Sequence, residues 1–112
     1  MSDDLVGRLR PHWFHILSAL AREDLHGSGI ARDVEEQTEG QVHLWPATLY
    51  RTLDELVEEG LIERLSSSQA PEGESARRQY YRLTAAGRAA LAAAVDRMAA
   101  WVGTARRRLR EV

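Results

Sequence analysis

The chain reads as mainly α with one small β-hairpin, on three observations. Apolar residues recur at helical spacing in four segments. Two short β-prone runs flank one long polar tip. A Pro, Ser or Thr stands where each helix would begin. The first segment, "RPHWFHILSALARE", spaces Trp13, Ile16, Leu17 and Leu20 along one helical face, with Pro11 suited to a first turn. In "LHGSGIARDVEEQTEG", Gly27 and Gly29 read as a turn and Ser28 as a cap. Ile30 and Val34 form the buried stripe of a second helix that ends near Gly40. Pro46 opens a third helix in which Leu49, Leu53, Leu56 and Val57 face inward, and Gly60 ends it.

"LIERL" and "RQYYRL" lie on either side of "SSSQAPEGESA" and read as a hairpin, with one of Tyr80 and Tyr81 in the core. Thr84 caps a last, Ala-rich helix that runs to the C-terminus. Three helices, a hairpin and a fourth helix follow the order of a winged helix-turn-helix. The division expected is a winged domain over residues 1–83 and a C-terminal dimerisation helix over 84–112.

Composition bounds the function. At 112 residues without cysteine, the chain is one domain with no thiolate chemistry and no disulfide. No apolar run is long enough to span a membrane, and the start "MSDDL" does not read as a signal peptide, so a cytoplasmic protein is expected. Neither a phosphate-cradling Gly loop nor a recognisable Ser–His–Asp order is present, so no enzyme is expected. His12 and His15 share a helical face at legitimate ligand spacing, but no third ligand is evident nearby; no metal or cofactor is expected, and His26 is expected to cap or pack.

The net charge of −2 hides a polarity. Residues 1–76 carry 6 Arg against 15 acids, a charge of −9, while residues 77–112 carry 9 Arg against 2 acids, a charge of +7. The third helix repeats this polarity on a smaller scale. Thr48, Tyr50 and Arg51 stand at its front, and Asp54, Glu55, Glu58 and Glu59 toward its rear. In a winged helix this helix lies front end first in the DNA major groove, where acids would be repelled by phosphates. The front three residues are therefore expected to meet DNA. Arg77 and Arg78, at the base of the wing, are expected to clamp the backbone. The rival reading is a winged-helix interaction module whose acidic face binds another protein and not DNA.

In the last helix Leu91, Val95, Met98, Val102, Ala105, Leu109 and Val112 alternate in steps of 4 and 3, a heptad seam. So long a helix on so small a domain has more apolar face than its own core covers, and a homodimer is expected. The "RRRLR" tract, Arg106 to Arg110, suits a solvated helix end that complements the C-terminal dipole.

The segments "ILSALAREDLHGSGIARDVEEQTEG", "PATLYRTLDELVEEGLIER" and "RRQYYRLTAAGRAAL" together resemble the PadR family of transcriptional regulators, in its compact branch with one helix after the wing. Ser28 stands where that family commonly has an aromatic residue, Ala47 where it has Gly, and Trp45 where a small polar cap precedes Pro46. The resemblance implies a DNA-binding repressor with a phosphate contact at Ser28, and a dimer in which Trp13 and Leu17 of the first helix join the seam. It also implies that a small flat aromatic effector can enter the cleft between subunits, which would place Trp13, Met98 and Trp101 around such a pocket.

Overall fold

The structure, a computed structural model, describes residues 10–70 and 78–111. Helix α1 (Pro11–Arg22), strand β1 (Leu25–His26) and helix α2 (Gly27–Gln37) come first. Helix α3 (Pro46–Glu58), strands β2 (Ile62–Arg64) and β3 (Tyr80–Leu83), and helix α4 (Ala85–Arg110) follow. All four described helices lie where the apolar periodicity places them. Pro11 and Pro46 occupy first-turn positions, where the missing N–H would have had no intrahelical partner.

One core ties these elements together. Ile16 and Leu17 of α1, Ile30 and Val34 of α2, Leu53 and Leu56 of α3, and Ile62 of β2 are its largest fully buried side chains. Val57 packs partly buried against this cluster. Tyr80 and Tyr81 are both buried, against the expectation of one. A third strand contributes to this. The hairpin acquires β1 as a third strand, in the order β1-β3-β2, pairing Leu25 with Tyr81 and His26 with Tyr80. Tyr81 enters the core cluster, while the Tyr80 ring meets the edge of His26 at 5.2 Å between centroids. Burial pushes the Tyr81 phenol above its ordinary pKa, against the lowering effect of its hydrogen bond with Arg64. Arg82 of β3 forks onto Asp24 just before β1, at 2.9 and 3.2 Å to one carboxylate oxygen, which holds the edge strand in register.

The second helix starts differently from its sequence reading. His26 is the N-cap of α2, and its Nδ1 accepts from the Gly29 N–H at 3.2 Å. Gly27 and Gly29 are helical, and Ser28 is an exposed first-turn residue instead of the cap. Histidine is not among the preferred caps, yet of the two candidates, Ser28 and His26, it is the histidine that takes the position. At α4 the expected cap holds: Thr84 Oγ1 accepts from the Gly87 N–H at 3.0 Å.

Helix α4 packs on the winged domain only near its start. Gly87, Ala90 and Ala94 are its buried residues, with Leu91 partly buried beside them. Its later turns project, and the molecule measures 57 × 32 × 24 Å along its principal axes. Val95, Trp101, Val102 and Leu109 are all exposed on this arm. No helix of the described residues is long and apolar enough to cross a membrane.

Candidate nucleic-acid interface

The packing of α3 decides what its front can touch. Leu49, Thr52, Leu53 and Leu56 turn inward, and the Thr52 hydroxyl is satisfied within the helix by donating to the Thr48 carbonyl at 2.7 Å. That leaves Tyr50 and Arg51 exposed on the first turns and Thr48 half-buried beside them. Pro46 and Trp45 lead into the helix without a side-chain cap, and the Trp45 ring sets its edge against His43 at 4.3 Å. The helix entrance is thus open to solvent and positive through its unpaired N–H groups.

The acids behind this front are partly neutralised. Asp54 pairs with Arg64 of β2, and Glu55 lies 3.7 Å from Arg10 at the start of α1. Glu58 and Glu59 sit at the rear of the helix. Phosphates approaching the front therefore meet Arg51 first, two paired acids next, and other acids last. The sign change along the helix becomes a gradient that favours one docking direction.

Tyr50 and Arg51 lie on different flanks. On the Tyr50 side a cleft of about 350 Å³ is lined by His26, Gly27, Ser28, Tyr50, Arg78 and Gln79, which joins the start of α2, the front of α3 and the root of the wing. The phenol fits there because Gly27 has no side chain: a methyl at that position would lie 2.5 Å from Tyr50 Oη. Ser28, Tyr50 and Arg78, three residues expected at the DNA surface, are thus gathered by the fold around one cleft. Arg77 lies outside the described residues, and Arg78 is exposed.

His26, expected only to cap or pack, also lines this cleft. Its Nε2 lies 2.8 Å from Arg78 Nη1, while its Nδ1 faces the Gly29 N–H. A neutral imidazole has one lone-pair nitrogen, so capping α2 and accepting from Arg78 are alternatives for that ring. The only hint in the sequence was a histidine immediately before Gly27.

Other expected groupings come apart. Trp13 and Leu17 are in the chain's own core, at 7% and 0% exposure, and not on an open face. Trp13 and Trp101 also line separate cavities. Trp13 faces one bounded by α1 and α3, whereas Trp101 lines a hollow of about 570 Å³ formed with Thr104, Ala105, Arg108 and Leu109 of α4. Met98 lines neither of these two. Helical spacing alone could not tell an inward Trp from an interfacial one. Of the His pair, His15 is bound to Gln37 Oε1 at 3.0 Å.

A helix-turn-helix with a three-stranded wing places this chain among the winged-helix DNA-binding folds. Its sequence matches the transcriptional regulator PadR-like family over residues 16–93, and the chain belongs to that family. Among solved structures, RosR of H. salinarum is 30% identical with a TM-score of 0.61, over 87% of this chain and 77% of that one. A PadR-family regulator of Clostridium difficile shares the fold at 24% identity and a TM-score of 0.71, over 88% of this chain and 97% of that one. PadR of Bacillus subtilis, in complex with operator DNA, matches at 24% identity and a TM-score of 0.60, over 73% of this chain and 45% of that one. No curated protein gives a match.

Proposed function

We propose that this PadR-family regulator acts as a homodimer that occupies a two-half-site operator, with repression as the result where that site overlaps a promoter. The observation that carries the reading is the front of α3, where Tyr50 and Arg51 stand exposed ahead of acids that are paired or set to the rear. Arg51 reads base edges, Thr48 and Tyr50 settle the helix in the groove, and Ser28 with Arg78 holds the phosphate backbone across the Tyr50 cleft. Arg77 belongs to the same clamp. The operator complex of the B. subtilis protein supports the use of this fold on duplex DNA.

The exposed residues Val95, Val102 and Leu109 on α4, with Met98 and Leu91 partly covered, form the dimer face. A symmetric pair of such arms sets two recognition helices toward successive major grooves, about 34 Å apart. The hollow beside Trp101 supports an effector reading: a small flat aromatic compound seated there would bias the spacing of the arms, and it can shift the equilibrium only by its differential affinity for the two states.

The test is a binding titration against DNA recovered from this protein's own genomic sites. Arg51→Ala should cost about 1–3 kcal/mol of specific affinity and leave the fold intact. Unchanged affinity would remove Arg51 from base reading. A shallow salt dependence of duplex binding by the unmodified protein would favour the interaction-module alternative, because phosphate contacts impose a steep one.

Gly27→Ala separates the fold from the interface. The new methyl meets the far end of a flexible side chain, so the ring of Tyr50 can swing out and unfolding stability should change by less than about 1 kcal/mol. Operator affinity should nevertheless fall several-fold, since the cleft that seats Tyr50 is gone. Equal loss of stability and affinity would show that Gly27 serves the fold alone.

A further inference from the structure

Among the described residues, the large apolar side chains left exposed fall in two places. One is the arm of α4, and the other is the front of α3, where Trp45 is 68% exposed and Tyr50 46%. Tyr50 has its cleft over Gly27, whereas Trp45 stands outside the core cluster. Its placement is nonetheless fixed. Residues 42–45 run into α3 with Val42 and Leu44 turned in and His43 and Trp45 turned out, the alternation of extended chain. Pro46 holds the residue before it to extended backbone, and Trp45 has φ −68° and ψ 148°. Its carbonyl accepts from the Leu49 N–H at 2.8 Å, so the residue already sits on the helical path. The indole meets the His43 ring at 4.3 Å between centroids, and His43 Nδ1 lies 3.1 Å from Glu35 Oε1 of α2.

This arrangement forgoes what the position ordinarily supplies. A Ser, Thr, Asp or Asn at the start of a helix accepts from a first-turn N–H, which an indole cannot do. Trp45 accordingly gives α3 no side-chain cap. What it offers instead is a large flat ring with two rotatable bonds, which loses little freedom on contact with a partner. Thr48 and Arg51 follow it three and six residues on, along the ridge that a helix surface forms at that spacing. In a helix-turn-helix the N-terminal residues of the recognition helix reach the base edges. The apolar group that a base edge presents in the major groove is the 5-methyl of thymine.

We propose that Trp45 is a further specificity-determining residue of this interface, its indole covering the methyl of one thymine in each operator half-site. The assignment rests on the proposed docking of α3 in the major groove.

The test uses operator duplex from this protein's own genomic sites, with deoxyuridine replacing each thymidine in turn in both half-sites. That exchange removes one methyl and leaves the hydrogen-bonding groups of the base unchanged. For the unmodified protein, one position in each half-site should weaken binding about fourfold, the worth of a buried methyl. Trp45→Ser should bind the unsubstituted operator about tenfold more weakly and lose the dependence on that methyl. Trp45→Phe keeps an apolar ring and should keep the dependence. Affinity for unrelated duplex should not change, because the phosphate contacts remain. The urea midpoint of Trp45→Ser should equal or exceed that of the parent, since the ring lies outside the core and Ser can cap α3. A midpoint that falls in step with affinity would make Trp45 a structural residue and overturn the assignment. So would a methyl dependence that persists undiminished in Trp45→Ser, since Ala47 or Thr48 would then meet the methyl. A change in the sedimentation of Trp45→Ser overturns it as well, because a second copy of the chain would then cover the ring. Arg51→Ala separates the two levels of the argument. If it too leaves operator affinity unchanged, α3 does not enter the groove and both readings fall. If it weakens binding as expected while no thymine methyl matters, the role of Trp45 alone is overturned.

Discussion

Replacing Gly87 with Ala is expected to destabilise the fold by about 3 kcal/mol or more, at the upper end of overpacking effects because backbone stands in the way. In an open helix the same change stabilises by up to about 1 kcal/mol, since Ala loses less conformational freedom. Here the sign reverses. A methyl on Gly87 would lie 2.0 Å from the Leu61 carbonyl oxygen and 2.8 Å from Leu83 Cδ1. That carbonyl cannot step aside freely, because it accepts from the Thr84 N–H at 3.1 Å. Thr84 in turn donates its hydroxyl to the Gly60 carbonyl at 2.7 Å and caps α4 through the Gly87 N–H. One methyl therefore presses on the cap, the turn after α3 and the docking of the long helix together. Gly103→Ala is the control, because nothing lies within 4 Å of a methyl there. Urea unfolding of the two variants in parallel should move their midpoints in opposite directions. A Gly87→Ala protein as stable as its parent would mean that α4 shifts on the domain without penalty.

The same residues show how much of the fold was legible beforehand. Helices α1, α3 and α4 followed from Pro11, Pro46 and Thr84 and from their apolar stripes, because these are local signals that need no tertiary information. Strand β1 was not legible. Two residues, Leu25 and His26, carry no period, and they become a strand only because β3 offers them its free edge. His26, expected to cap or pack, does cap α2; what the sequence could not do was choose between it and Ser28, because a ring nitrogen can accept as a Ser oxygen does and the sequence marks no orientation.

The exposed front of α3 was legible in outline, and the cleft on its Tyr50 flank was not. Which residues of α3 point outward is a matter of helical phase, so Tyr50 and Arg51 could be named from spacing. The fit of Tyr50 over Gly27 depends on a contact between residues far apart in the chain, which spacing cannot supply. Trp13 misled for the opposite reason. It shares the helical face of Ile16, Leu17 and Leu20, and that face was the inner one.

The projecting arm gives the second large effect. Glutamate at both Val102 and Leu109 should convert the proposed dimer into monomers and reduce operator binding to the non-specific level, roughly 10³-fold or more weaker. These residues lie one heptad apart on α4, at 50% and 77% exposure, beyond the buried stretch that ends at Ala94. The helix is 26 residues, which makes it roughly 39 Å long, and its second half is not covered by the winged domain among the described residues. If a second subunit covers it, two glutamates from each chain would be buried near their symmetry mates, and desolvation with repulsion costs several kcal/mol. The subunit itself should stay folded, because neither side chain is part of its core and Glu is a better helix former than Val. Ala89→Glu with Ala100→Glu adds the same charge on exposed positions off the stripe, so it isolates the interface from the effect of charge on DNA. Sedimentation should find that control dimeric and the Val102, Leu109 variant monomeric. A dimer that survives both glutamates would mean that the arms do not meet along this stripe. A monomer that keeps tight operator binding would show that one recognition helix suffices, and the two-half-site geometry would have to be given up.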